Sequence, residues 1–255
     1  MKRFLSSFAI IALALAGSIS LRAQSEITLI APFGAKAPLD ELLPAFEAKS
    51  GYKVKPTYGS GLGTKKQVTA GEAFDVPVVQ PPYQDVLASG NVVANTATPL
   101  ATVSVGVAVR KGAPKPDIST PDAVKRMLLA AKSISYPDPK IGAAAGVSFE
   151  QTLSKLGIAE QMKPKVKAAQ GGGTGAMAAV ASGDVEIGLT FLSEINDPGV
   201  DIIGPLPREI SPPTGLVGFV SAHAKDAAAA KALLQYLSSP EAAKVYKAHR
   251  MEPGS

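Results

Sequence analysis

Four times in this chain a turn of glycine or other small residues stands where a β-like run gives way to a helical pattern. The four are Phe33-Gly34-Ala35-Lys36, Gly59-Ser60-Gly61-Leu62-Gly63-Thr64, Ala143-Ala144-Ala145-Gly146 and Gly171-Gly172-Gly173-Thr174-Gly175. Strand, tight turn and helix in repeated order restrict the chain to an α/β architecture, with helices covering a mostly parallel sheet. The same turns limit the chemistry. The first turn of a helix leaves backbone N–H groups unpaired at the positive end of the macrodipole, so several such starts aimed at one point hold an anion without a buried lysine. No strong nucleophile or metal ligand stands beside them, and the pattern reads as capture, not catalysis.

Around these turns the apolar spacing predicts strands over 27–30, 52–58, 76–79, 102–109, 134–136, 166–169, 187–191, 200–203 and 215–220. Helical spacing covers Leu39, Leu42, Leu43 and Phe46, then 65–71, 83–88, 122–131, 149–156, 175–181, 227–237 and 240–248, and Gly51 stops the first of these helices. Ser119-Thr120-Pro121-Asp122 has the form of a helix cap. A single strand with two helices after the proline-rich stretch 205–213 is too little for a separate domain, so it is expected to complete the first sheet. The expected division is 24–101 with 208–255 as a discontinuous first α/β lobe and 102–207 as a second. Two chain crossings between two lobes make a hinge, and ligand sites favour such interfaces.

Met1-Lys2-Arg3, an apolar run to Ala16 and a small-residue stretch to Ala23 follow the order of a secretory signal. The apolar run is too short to span a bilayer. Cleavage is expected after Ala23, leaving about 230 residues free in the periplasm. The chain has no cysteine, so a lipid anchor, disulfides and thiolate metal sites are all excluded. Removing Lys2, Arg3 and Arg22 with the leader lowers the formal charge from +5 to +2, which makes nucleic acid an unsuitable partner.

Other chemistry finds little support. Gly171-x-Gly173-x-x-Ala176 fits a dinucleotide fingerprint in form, but an exported protein has little use for a nicotinamide cofactor, and a strand-to-helix turn explains the spacing. The glycines at 59–63 lack the Gly-Lys-Ser/Thr ending of a phosphate-binding P-loop. His223 and His249, the only histidines, lie far along the chain from Ser60, Ser148 and Thr174, and there is no G-x-S-x-G elbow. Two histidines without cysteine argue against a zinc or copper site. Asp138, Asp184 and Glu194 read as caps, turns or solvated surface, and Lys36, Lys65 and Lys66 as a solvated helix face. Ser60 and Thr174 sit inside the nests, where both a ligand role and a local one are open to them.

With these residues in hand, the sequence resembles the periplasmic molybdate-binding proteins and the wider type II extracytoplasmic solute-binding proteins of ABC transporters, over essentially the whole chain after the leader. The resemblance rests on 27–46 (ITLIAPFGAKAPLDELLPAF), 58–75 (YGSGLGTKKQVTAGEAFD), the Asp138-Pro139 turn with Ala145-Gly146, 175–188, and 233–246 with its Ser-Pro-Glu-Ala-Ala. It implies a two-lobed α/β fold with a cleft at the hinge. It also implies a small anionic solute, a membrane permease as partner, no cofactor, no metal and a monomer. In that family two serine hydroxyls, a tyrosine hydroxyl and backbone amides hold the oxyanion. The motifs align Gly34 and Gly61 with the serines and Phe191 with the tyrosine, so all three hydroxyls are missing. Ala145 and Gly173 fall at the backbone donors, with Ser60 and Thr174 beside them.

Each lost hydrogen bond to a buried oxyanion costs on the order of 1 kcal/mol or more, so tight molybdate binding is not expected. Glycine for serine is expected to widen the cleft for a small organic acid, such as a di- or tricarboxylate or a phosphorylated metabolite. The expected contacts are Gly34, Ala35, Lys36, Ser60, Gly61, Ala145, Gly146, Gly173, Thr174 and Phe191. Two rivals remain: an exported hydrolase on the same scaffold, and a binding protein that serves a sensor instead of a transporter.

Overall fold

The computed structural model describes residues 26–254. The expected signal segment lies outside them. The chain forms two mixed sheets flanked by helices, the two-lobed α/β class expected from the turns. In the first sheet β1 (Glu26–Pro32) lies parallel to both β2 (Lys53–Gly59) and β3 (Val76–Val79). Then β10 (Thr214–Gly218), β4 (Thr98–Val103) and the short β11 (Glu252–Pro253) continue it antiparallel, giving the order β11-β4-β10-β3-β1-β2.

The second sheet has the order β7-β6-β8-β5-β9. In it β6 (Ile134–Pro137) runs parallel to β7 (Val166–Ala169) and β8 (Ile187–Phe191), while β5 (Val105–Arg110) is antiparallel to β8 and to β9 (Val200–Pro205). Parallel pairing is thus confined to the strand–turn–helix units, less than the mostly parallel sheets anticipated. A strand arriving from the other sheet is not part of a βαβ crossover, so nothing obliges it to run parallel.

The single strand expected at 102–109 is two strands in two sheets, β4 and β5, parted at Ser104. Apolar valines flank Ser104 on both sides because both halves contribute to the core, and one half-buried serine does not mark a change of sheet. The return crossing lies between Pro205 and Thr214.

α1 (Lys36–Ser50) buries Leu39, Leu42, Leu43 and Phe46 on one face, and Gly51, at φ 77°, ends it by donating its N–H to the Glu47 carbonyl. Phe46 stacks on Tyr52 and meets Tyr236 of α8 (Ala227–Leu237), which seats the C-terminal helices on the first sheet. α2 (Gly61–Thr69), α5 (Ala144–Lys155) and α7 (Gly172–Ala181) follow β2, β6 and β7. α7 starts three residues earlier than the sequence suggested, because packing against β6 and β8 outweighs the poor helix propensity of its glycines. α4 (Pro121–Ala130) forms as its proline-led cap predicts, and α9 (Pro240–Ala248) spans the expected residues.

The two sheets' lobes touch across their gap. The Ser193 hydroxyl donates to the Gly34 carbonyl at 2.8 Å, and the Leu62 N–H to the Gly142 carbonyl at 3.3 Å. Arg250, the one described non-glycine residue with positive φ (59°), reaches the carbonyls of Leu192 and Ile195 at 3.3 and 3.2 Å. The gap is therefore closed rather than splayed.

Candidate functional site

Between the sheets lies a cleft of about 580 Å³. Its walls come from the C-terminal ends of β1, β2, β6 and β8 and from the starts of α1, α2, α5 and α7. This is where an α/β sheet leaves open helix starts facing one crevice.

Of the expected contacts, Gly34, Lys36, Ser60, Gly61, Ala145, Gly173, Thr174 and Phe191 line this one cleft. Ala35 and Gly146 do not. Ala35 is packed in the core, and Gly146 lets α5 press against the end of β6, since a Cβ there would stand 1.9 Å from the Pro137 carbonyl oxygen. Sequence adjacency brought both into the expected list, and helix geometry turns them inward.

α5, α7 and the 3-10 turn Phe33–Ala35 that leads into α1 begin with no side-chain cap at Ala143, Gly171 and Pro32, while the Lys36 N–H of α1 itself donates to the Phe33 carbonyl. Their first-turn N–H groups have no intrahelical acceptor. α2 differs. Ser60 caps it, its Oγ accepting from the Gly63 N–H at 3.1 Å, which leaves the hydroxyl proton available to donate.

The glycines do not widen the cleft as expected. A Cβ on Gly34 would lie 3.1 Å from the Phe191 ring, so that ring occupies the room a side chain at 34 would need. A Cβ on Gly61 would lie 2.3 Å from Gln80 Oε1 and 2.9 Å from the Ala144 Cβ. Glycine at these points admits a neighbour and lets the lobes approach.

Lys36 stands exposed at the rim, paired with Asp40 and 4.9 Å from the centre of the Tyr58 ring, and Tyr58 donates to Asp40 at 3.0 Å. Its charge is already answered. Lys66 is exposed as expected, but Lys65 is buried and donates to the Pro82 carbonyl at 2.7 Å. Asp138 is the cap its sequence suggests: it accepts from the Lys140 N–H at 2.9 Å and from Gln170 at 2.7 Å, bonds that hold its carboxyl below the usual range. Asp184 sits in an exposed turn with Ser182.

Glu194 departs from the solvated reading. It lies in the cleft wall, packed against Gly173 and within reach of Gly34, and accepts from the Thr190 hydroxyl. Burial pushes its carboxyl above the ordinary range, opposed by the Thr190 hydroxyl and the Phe191 N–H. No described lysine, arginine or histidine forms an ion pair with it.

Gln80, absent from the sequence-based list, is only 3% exposed at the end of β3, and neither its amide oxygen nor its nitrogen has a partner. A polar residue directly after the apolar run Val-Pro-Val-Val was the available signal, because strand ends are where such sites form. Among the described residues no three His, Cys, Asp or Glu cluster as a metal site. His223 and His249 are engaged with Asn91 and Glu41, away from the cleft.

Two α/β lobes closing helix starts over a shared cleft define a solute-binding fold of the hinged type. The chain belongs to the bacterial extracellular solute-binding protein family, whose model matches residues 27–252. It is 32% identical to the aconitate isomerase of a Pseudomonas species, over 98% of this chain and 97% of that one. It is 29% identical to the molybdate-binding protein ModA of Azotobacter vinelandii, over 92% and 93% of the two chains. Among solved structures, the substrate-binding domain of a putative molybdenum ABC transporter from Clostridium difficile superposes with a TM-score of 0.73 at 17% identity, covering 90% of this chain and 99% of that one.

Proposed function

We propose that this protein is an extracytoplasmic receptor that captures a small di- or tricarboxylate between its lobes and presents the closed form to an ABC permease. The observation that carries this is the make-up of the cleft: three uncapped helix starts, no free cation, and a protonatable carboxyl, Glu194, in the wall. A fully ionised tetrahedral oxyanion meets no hydroxyl at 34, 61 or 191 and meets the Glu194 carboxylate instead. A carboxylate ligand accepts the N–H groups equally well and shares a proton with Glu194. The relatives named for molybdate and for aconitate both handle small anions, in keeping with such a cleft.

In this reading the contacts are Gly34, Ser60, Gly61, Ala145, Gly173 and Thr174, with Phe191 as a wall and Lys36 at the rim. The lobes divide as 24–101 with 208–255 and 102–207. The leader is removed after Ala23, and the receptor works as a periplasmic monomer. Calorimetric titration with citrate, cis- and trans-aconitate, phosphate, molybdate and tungstate tests it. Micromolar or tighter binding of a polycarboxylate supports the proposal. Submicromolar molybdate binding with no polycarboxylate response contradicts it.

Glu194 and the 32% identity to an aconitate isomerase favour a second reading, in which the same cleft isomerises an unsaturated polycarboxylate. A buried carboxyl with a raised pKa suits taking a proton from one carbon and returning it to another, with no net change in atoms or electrons. Proton NMR of cis- and trans-aconitate with the protein in deuterated water separates the two: interconversion with deuterium uptake, lost in Glu194→Gln, makes it an enzyme, and unchanged spectra leave it a receptor.

A further inference from the structure

A second cavity of about 460 Å³ lies behind the cleft, and the two share Gly61, Gln80 and Ala144 as a common wall. The return crossing supplies its back through Ile210, Ser211 and Thr214. Buried side-chain polar atoms without a partner occur on three described residues, Thr64, Gln80 and Ser211, and two of these line this cavity. Gln80 and Ser211 are each 3% exposed. A buried donor or acceptor left unpaired is costly, so such groups mark a place that something polar fills.

The charge of the lining says what kind of group that is. It contains Lys65 and Lys155 and no acidic residue, whereas the cleft contains Asp40 and Glu194. Lys65 is committed to the Pro82 carbonyl, but Lys155 is exposed at the last turn of α5 and forms no described ion pair.

We infer that the cavity behind Gln80 is a second anion subsite, which takes the far carboxylate of a solute whose near carboxylate sits at the helix starts. This rests on the polycarboxylate reading above and narrows it to acids with charge at both ends. Gln80 forms part of the wall the two cavities share, its amide without a partner, so it is the side chain that a solute reaching both would meet.

The test is titration of the full protein with the linear series succinate, glutarate, adipate and pimelate and with the monocarboxylates of matching length. The subsite predicts that affinity rises at least tenfold along the diacid series and not along the monoacids. Lys155→Glu and Ser211→Ala, both outside the cleft, should remove that gain while leaving the shortest diacid within twofold. Gln80→Met should remove it too, with a melting temperature no lower than the native protein's, since no partner is lost. Short diacids that bind with no gain in length, or variants that weaken every member equally, overturn the subsite and leave the receptor reading standing. Failure of every diacid, together with citrate and both aconitates, overturns both.

Discussion

Among helices of nine residues or more, the starts at the cleft and those elsewhere are built differently; the short helices Gln84–Ala88 and Ala159–Met162, away from the cleft, also lack a side-chain cap. Away from the cleft, α4 is capped by Thr120, α8 by Asp226 and α9 by Ser239, each side chain accepting from one or two first-turn N–H groups. At the cleft, α5 and α7 carry alanine and glycine at the same position and the turn leading into α1 carries Pro32, and none of these side chains caps its helix. A good cap is worth about 1 kcal/mol, so the cleft helices forgo stability that the distal ones take. In the receptor proposed above, these are the donors the ligand takes. Ser60 on α2 is intermediate: it caps one N–H and retains a proton to give.

Erasing the difference should have the largest effect. Ala143 already has the extended backbone of a cap residue, φ −69° and ψ 113°, so Ala143→Asp should cap α5 internally. We expect the ligand-free melting temperature to rise by about 2–4 °C, while polycarboxylate affinity falls about a hundredfold from the loss of two charge-assisted hydrogen bonds. Scanning calorimetry and titration of the same sample check both.

Gly173→Ala keeps the helix start free but crowds it. Its Cβ would lie 2.4 Å from Glu194 Oε2 and 2.7 Å from the Thr190 hydroxyl. Affinity should drop about tenfold by titration, from displacement of Glu194 into the ligand's place.

Thr120→Ala is the opposite case, a distal cap removed. It should cost about 1 kcal/mol in denaturant unfolding and leave affinity within twofold.

The smallest effect, a slope rather than a loss, concerns Glu194. Because the folded carboxyl holds its proton more tightly than the unfolded one, its stabilising contribution is complete below the ordinary glutamate range and fades as pH rises through the raised folded value. Glu194→Gln removes that fade. Its melting temperature should therefore gain on the native protein's as pH rises above the ordinary glutamate range, and a constant difference would place Glu194 in solvent.

Much of this architecture was legible in local sequence. The Leu39, Leu42, Leu43 and Phe46 spacing, the Thr120-Pro121 cap and the small-residue turns each act within a few residues, so the chain declares them directly. The change of sheet at Ser104 was not legible, because buried valines, Val103 and Val105, stand on either side of it. Nor was Glu194. Its neighbours Gly34 and Gly173 come from different lobes, the adjoining Ser193–Gly34 bond spans 159 residues, and only the folded chain brings these together. Ala35 and Gly146 erred the other way, close to the right residues in sequence yet facing the core.

The central claim is that main-chain donors at unprotected helix starts, more than any charged side chain, attract the ligand. An amide nitrogen–proton correlation spectrum recorded during titration with citrate reads those donors one by one. The account predicts the largest shifts at Gly61, Ala144, Ala145, Gly172, Gly173 and Thr174, with little change near Lys66. Saturating citrate that moves the lysine region and leaves these six amides in place would contradict it.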